Sequence, residues 1–378
     1  MRPAVVVWSA YLLAGVACAG SGSGRVPAWV DGTSPEYPAE QYLVGTGQAD
    51  SRPAAEQRAY AAVAKIFKVQ VTAQSQDWET FLLLEKRGAL DTERRLTLDH
   101  VTRVTTDKML ENVRILDAWA NVQTGQHYAL AGMNRAQAGA ALEARIAELD
   151  GRIDTELREF RQNADKLARV RNLRRAIKDL VLREAYNADL RVIRASGRGM
   201  DAAHRVADLT AQMEQFVAAN LLIEVEVAGE QAEPVRRAVM EGLLREGLPV
   251  SGRPAPEAGA RGSEAVVTLL VKGTVRLQPA SVPDPQFKYV RWCSDFVIVE
   301  GGTQRVVGAV SRGGREGHLS EGEAMGKAVR VMQQELTSEL ARHLAGYVYG
   351  EAEKLPATVP AACPRGEGEE PAAPRGPL

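Results

Sequence analysis

One thiol near the N-terminus has the surroundings that a lipid-transfer reaction needs. Gly15-Val16-Ala17-Cys18 closes the stretch Pro3–Ala17, which carries no charge and follows Arg2. A positive start, a short apolar run and small residues before a cut are the layout of a secretory signal. The run falls short of the roughly 20 apolar residues that span a bilayer. The four residues ending in Cys18 have the form of a bacterial lipobox, with Gly15 where Leu is usual. Its chemistry requires the thiol. Diacylglycerol is transferred to the Cys18 sulfur, the preceding segment is removed, and the new amine takes a fatty acyl chain such as palmitate. Two or more chains anchor a protein stably, whereas one binds marginally. Ala19 follows Cys18. Asp in that place favours retention in the inner membrane of Gram-negative cells, so Ala19 points to the outer membrane and a periplasm-facing protein. An ordinary secretory signal with a coincidental cysteine is the alternative.

Other residue patterns carry less chemistry. Gly45-Thr46-Gly47 lies between a strand and a helix, as a dinucleotide loop would, but Asp50 stands where the third glycine belongs. An acid there opposes phosphate, so a tight strand-to-helix turn is the expectation. Gly322, Gly326 and Lys327 miss the phosphate-loop spacing by one residue, and Ala328 replaces the Ser or Thr. His100, His127, His204, His318 and His343 are spaced too widely to form a helical metal pair. Cys293, beside Trp292, reads as a buried apolar thiol. A Cys293–Cys363 bridge is conceivable in an oxidising compartment, but no pattern specifies it. Lys166, Arg169, Arg171, Arg174, Arg175 and Lys178 form a basic run that reads as a solvated helix face. No catalytic, cofactor-binding or metal-ligating residue is assigned. Cys18 is the one site residue.

Composition narrows the class. The 378 residues include 47 basic and 48 acidic side chains, a net charge of -1. No global positive field exists to hold nucleic acid. Three cysteines cannot form a disulfide framework. The fold expectation is α+β: two sheet-plus-helix domains joined by a long helical arm.

The elements follow from periodicity. Residues 1–17 read as signal peptide and 18–25 as a flexible tether. In the first α+β domain, 26–134, Tyr42–Gly45 is a strand. Ser51 caps a helix with Ala55, Ala59, Ala62 and Ile66 on one face. Val69–Ala73 and Leu96–Asp107 read as further strands, and Val113–Val122 with His127–Met133 as a hairpin. Over 135–217, Leu142, Ile146, Leu149, Ile153, Leu157, Phe160, Ala164 and Leu167 make a near-heptad stripe that Leu173, Ile177 and Leu180 continue. Gly151 and Gln162-Asn163 are weak points, so the arm is one long helix or a hairpin. Asp201 reads as the cap of the next helix. In the second α+β domain, 220–349, Ile223–Val227 alternates as a strand. Pro234–Glu246 is a helix, and Val266–Leu277 is a long strand. Gly301-Gly302 reads as a two-residue turn. Ser320 and Glu323 form a capping box before a last helix. Residues 350–378 read as a disordered tail.

Pro27-Ala28-Trp29-Val30, Tyr37-Pro38, Tyr42–Gly47 and the alanine-rich helix around Glu56–Ala64 resemble the LPP-twenty family of bacterial lipoproteins. Ile115–Trp119, Tyr128–Ala131 and Asn134-Arg135 resemble the close of that domain. The resemblance covers about residues 26–140. It implies an outer-membrane lipoprotein with an envelope role, in some members near the flagellar basal body, and no active site. The expected function is therefore a non-enzymatic structural or assembly component. Its expected partners are the outer membrane, through the N-terminal lipid, and envelope proteins or further copies of the chain, through the helical arm. A lipid-anchored enzyme or ligand-binding protein with a site between the two α+β domains is the rival. The apolar stripe requires a partner helix, in cis or in trans, because soluble surfaces rarely carry a continuous apolar patch.

Overall fold

A computed structural model describes residues 26–32, 34–73, 111–251, 266–282 and 286–351. The signal, the tether, Cys18, His100, the Leu96–Asp107 strand, Cys363 and the tail beyond 351 lie outside the described residues. The fold is α+β, with two sheets, and the chain divides into two compact units.

The first unit holds a three-stranded antiparallel sheet in the order β1-β3-β2. Its strands are β1 (Tyr42–Ala49), β2 (Arg114–Asn121) and β3 (Gln126–Asn134). The β2–β3 hairpin is as expected, with a bulge between Ile115 and Asp117. Helix α1 (Arg52–Ala73) packs on β1. Ala55, Ala59 and Val63 are fully buried. Ala62 and Ile66 are only half-buried, because the face turns toward Val63 instead. Val69–Ala73 continues α1 and is not a strand. Once a helix is nucleated, each added residue gains a hydrogen bond at small further cost, so β-branched residues are carried along.

The second unit begins with a helical hairpin, α2 (Arg135–Gln162) and α3 (Lys166–Ile193). The break falls at the expected Gln162-Asn163 pair, while Gly151 stays helical. The Asn163 side chain accepts from Asp165 N, and Asp165 then caps α3 by accepting from Leu167 N at 2.9 Å. Helix α4 (Val206–Asn220) leads straight into β4 (Leu221–Gly229). Helix α5 (Ala232–Arg245) crosses to β5 (Val267–Ala280), which pairs parallel with β4. Strands β6 (Lys288–Glu300) and β7 (Val306–His318) continue antiparallel, giving the order β4-β5-β6-β7. Helix α6 (Glu321–Tyr349) returns over β5, β6 and β7, with Ser320 Oγ accepting from Glu323 N as the capping box predicts.

One core runs through this unit. Ile153, Leu157 and Leu167 share it with Trp292, Phe296, Met332 and Leu336. The apolar stripe of the helical segment is thus covered within the chain, in cis. The segment expected as an arm and the second α+β domain belong to one unit, because a single core links the stripe to the sheet through α4 and α6.

Two local expectations are corrected. Asp201 does not cap α4. The helix starts at Val206 with Arg205 before it in an extended conformation, and the Asp201 carbonyl is held by Arg183. The Gly301-Gly302 turn is longer than two residues, and Gly301–Arg305 links the strands. Gly301 N donates to Thr268 O on β5, which ties it to the sheet, and Gln304 takes the positive φ of 56° instead.

Candidate functional site

Cys18 lies outside the described residues. The described constellations are assembled as follows.

The residues behind the family resemblance come together in the first unit. Trp29, in a short 3-10 turn (Ala28–Asp31), is buried, and its Nε1 donates to Asp117 Oδ2 at 2.8 Å. Tyr37 OH donates to Leu116 O, and its ring meets Tyr42 edge-on at 5.2 Å. The N-terminal Pro-Ala-Trp-Val segment is thereby fastened to β2. Gly45 and Gly47 lie in β1, not in a loop. A Cβ at Gly47 would run into Ala55 O and Ala59 N of α1. These glycines let a helix backbone approach a strand, which settles the role of the Gly-Thr-Gly motif as packing. Trp119 is half-buried, with its ring 5.3 Å from Tyr128.

The most buried charge is Arg183 on α3, at 0% exposure. Its Nε donates to Asp150 Oδ1 at 3.0 Å and its Nη1 to Glu184 Oε1 at 2.6 Å. The same guanidinium donates to the carbonyls of Met200 and Asp201. Burial alone lowers the pKa of a guanidinium. Here the hydrogen bonds that Arg183 donates to Asp150 and Glu184 outweigh it and the net shift is upward. Asn187, one turn on, brackets Met200 from both sides, accepting from its N at 2.6 Å and donating to its O at 3.0 Å. Together they fasten the segment after α3 onto the helix. Sequence reasoning passed over Arg183. The available clue was its register: Ala176, Leu180, Arg183 and Asn187 continue the 4-3-4 stripe, so a charge falls on the apolar face.

The basic run of α3 is engaged with other elements, although Arg175 and Lys178 stay exposed as expected. Arg169 donates to Phe160 O and lies 4.5 Å from the Phe216 ring centroid. Arg171 donates to Tyr347 O, and Arg175 grips Glu156 through Nε and Nη2. Arg174 and Lys178 both reach Glu351, whose carboxyl stays below its ordinary range because these two cations outweigh the effect of burial. Tyr349, beside them, has its hydroxyl pushed up to about 12, chiefly by burial.

An open groove of about 760 Å³ lies between α5 and α6, lined by Arg237, Glu241, Arg245, Gln334, Ser338 and Arg342. Its floor is a close helix contact at Gly242, where Thr337 Oγ1 donates to Ala238 O. Three described histidines pair with single carboxylates: His204 with Asp154, His318 with Glu323 and His343 with Glu339. Among the described residues no group of three His, Cys, Asp or Glu is placed to hold a metal, and no helix is long and apolar enough to cross a membrane. Cys293 is not the free apolar thiol expected: it is disulfide-bonded.

The first unit, with its Trp29–Asp117 bond and its glycine-lined strand, decides the relationship. Residues 27–134 match the LPP20 lipoprotein family. The LPP20 segment ends where β3 ends, short of the residue 140 expected from the resemblance. The match supports a lipoprotein of the cell envelope. No curated protein matches the chain. Among solved structures, the secreted protein HP1454 of Helicobacter pylori is 14% identical, with 80% of this chain and 97% of that one covered and a TM-score of 0.38. A minor lipoprotein of Acinetobacter baumannii is also 14% identical, over 33% of this chain and 92% of that one, with a TM-score of 0.25. A protein described as a lipoprotein from Caulobacter crescentus is 14% identical over 36% and 93%, with a TM-score of 0.21.

Proposed function

We propose that this chain is an outer-membrane-anchored lipoprotein, acylated at Cys18, that faces the periplasm and serves there as a non-enzymatic structural or assembly component. The observation that carries the reading is the LPP20 match over residues 27–134, which is independent of the lipobox ending at Cys18. Two separate stretches of sequence thus favour the same chemistry. The buried charges of the second unit support the structural part of the reading. Arg183 and the half-buried Arg171 hold helices and turns to each other. The apolar stripe is covered in cis, so partner contacts fall on other surfaces.

The test is metabolic labelling with a clickable fatty acid, followed by separation of inner and outer membranes. The wild-type chain takes up label and sediments with the outer membrane, while Cys18→Ala takes up none and is released as a precursor or soluble chain. Equal labelling of both forms defeats the proposal. Labelled protein confined to the inner membrane keeps the lipid and removes the location.

A further inference from the structure

We infer that the outer face of the second sheet carries a docking site for the phosphate headgroups of an anionic membrane lipid, built on Arg291 and Arg315. Side chains alternate between faces along a strand. Val290 and Trp292 are buried in the core, so Tyr289 and Arg291 of β6 lie on the opposite, outer face. Arg291 stands directly across from Arg315 of β7, and Tyr289 across from Gly317. Both arginines are exposed. Like charges directly opposite each other destabilise a sheet. An anion held by both accounts for the pair.

The surroundings fix the two arginines without neutralising them. The Tyr289 ring lies against Gly317, where a Cβ would run into it, and the Arg315 guanidinium rests over that ring at 5.4 Å. Arg276 of β5, half-buried, adds a third positive charge one row away, across from Cys293. Among the described residues neither Arg291 nor Arg315 has a carboxylate partner. Glu316 lies on the inner face and pairs with Lys327 at 3.0 Å, and Glu323 pairs with His318. Glu321 stands in the first turn of α6, whose positive end offsets it. Asp295, four residues along the outer face of β6, is already engaged. Two guanidinium forks side by side match phosphate oxygens and stay charged at any physiological pH.

The neighbouring apolar side chains choose between a soluble phosphate and a membrane. Lys288 pairs with His318, so Phe287 and Leu319, the next residues outward, close the same end of the β6–β7 ribbon. Phe287 is 40% exposed and Leu319 67%. The Phe287 ring lies 6.5 Å from that of Tyr289, which makes the apolar tip continuous with the arginines. A soluble phosphate leaves that tip in water. At a bilayer surface, aromatic and apolar side chains settle at headgroup depth while basic ones reach the phosphates. The site is separate from the N-terminal anchor and does not rest on it.

The experiment is vesicle co-sedimentation of the chain beginning at Ala19, which keeps every described residue and carries no lipid. Vesicles of phosphatidylcholine alone are compared with vesicles of equal parts phosphatidylcholine and phosphatidylglycerol. Binding to the mixed vesicles should be at least about tenfold stronger and should fall as salt rises. Arg291→Gln with Arg315→Gln should lower it at least about tenfold, with circular dichroism and urea midpoint preserved, because the variant removes a repulsion. Arg237→Gln with Arg245→Gln, on the α5–α6 groove, should leave it unchanged. Phe287→Ser with Leu319→Ser should weaken it as well. Unchanged binding in the Arg291 and Arg315 variant, or an equal loss in the Arg237 and Arg245 variant, overturns the site. Unchanged binding in the Phe287 and Leu319 variant, or full inhibition by millimolar glycerol phosphate, overturns the lipid as its occupant. Absence of vesicle binding also overturns the proposal. Polyglutamate retained by the wild type and lost by the Arg291 and Arg315 variant then assigns the face to an acidic protein.

Discussion

Both sheets use glycine at a close approach, but against different obstacles. In the first unit, Gly47 of β1 faces the backbone of α1 at Ala55 and Ala59. In the second, Gly273 of β5 faces the Phe296 ring and Gly314 of β7 faces the Trp292 ring. The first arrangement brings two backbones together over Ala55 and Ala59. The second makes room for the aromatic rings of cross-strand neighbours. A small sheet with one helix gains contact by shortening the distance. A larger one gains it by burying volume, at about 25 cal/mol per Å² of apolar surface. The same residue type therefore reports a close helix in one unit and a large neighbour within the sheet in the other.

The largest expected effect breaks the second unit alone. Ile153→Asp with Leu157→Asp places two unpaired charges in the shared core, a loss above about 5 kcal/mol. In the soluble form beginning at Ala19, circular dichroism should lose most of the α2–α6 helix, while the first unit keeps its own unfolding transition. Retention of the full helix signal would show that the stripe is not buried. Next, Trp29→Ala removes a buried ring and the Asp117 bond, and should cost the first unit about 3–5 kcal/mol in urea unfolding. Trp119→Ala, at a half-buried ring, should cost less than half of that.

The third prediction concerns pH. Tyr349 is held protonated in the folded chain, with its pKa raised from 10.0 to about 12. The stabilisation is complete below pH 10 and is lost as pH rises from 10 toward 12, because only the unfolded chain releases the proton in that window. The loss should be about 2–3 kcal/mol, and Tyr349→Phe should flatten it. The smallest effect sharpens the glycine comparison. Gly47→Ala and Gly273→Ala should each cost about 1–3 kcal/mol by overpacking. Phe296→Leu should recover much of the second loss, because its obstacle is a side chain. No side-chain change should recover the first, because its obstacle is backbone.

Much of this architecture was legible in the sequence. The hairpin of β2 and β3, the capping box at Ser320 and the break after Gln162 each depend on a few neighbouring residues, and local patterns report them. The motifs shared with the LPP20 family were legible for the same reason, whereas Gly45-Thr46-Gly47, expected as a turn, lies inside β1. What stayed hidden depends on residues far apart in the chain. Asp201 looks like a helix cap until Arg183, 18 positions earlier, takes its carbonyl. Gly301-Gly302 looks like a tight turn until Thr268 ties it down. The basic run of α3 looks solvated until Glu156, Tyr347 and Glu351 arrive from other elements. The disulfide state of Cys293 was open for the same reason, since spacing alone does not choose its partner.

The shared core of the second unit also sets an order of events. Its last contributor, α6, supplies Met332, Leu336, Leu340, Leu344 and Val348, each fully buried. Until that helix has left the ribosome, the inner face of β5–β7 lacks the helix that covers it, although α2 and α3 can already pair with each other. A nascent chain ending before residue 321 therefore has no finished second unit, however long it waits. For a polypeptide threaded through a membrane pore from its N-terminus, this delay is useful. On the periplasmic location proposed above, the unit would lock only after its final turn of helix had crossed.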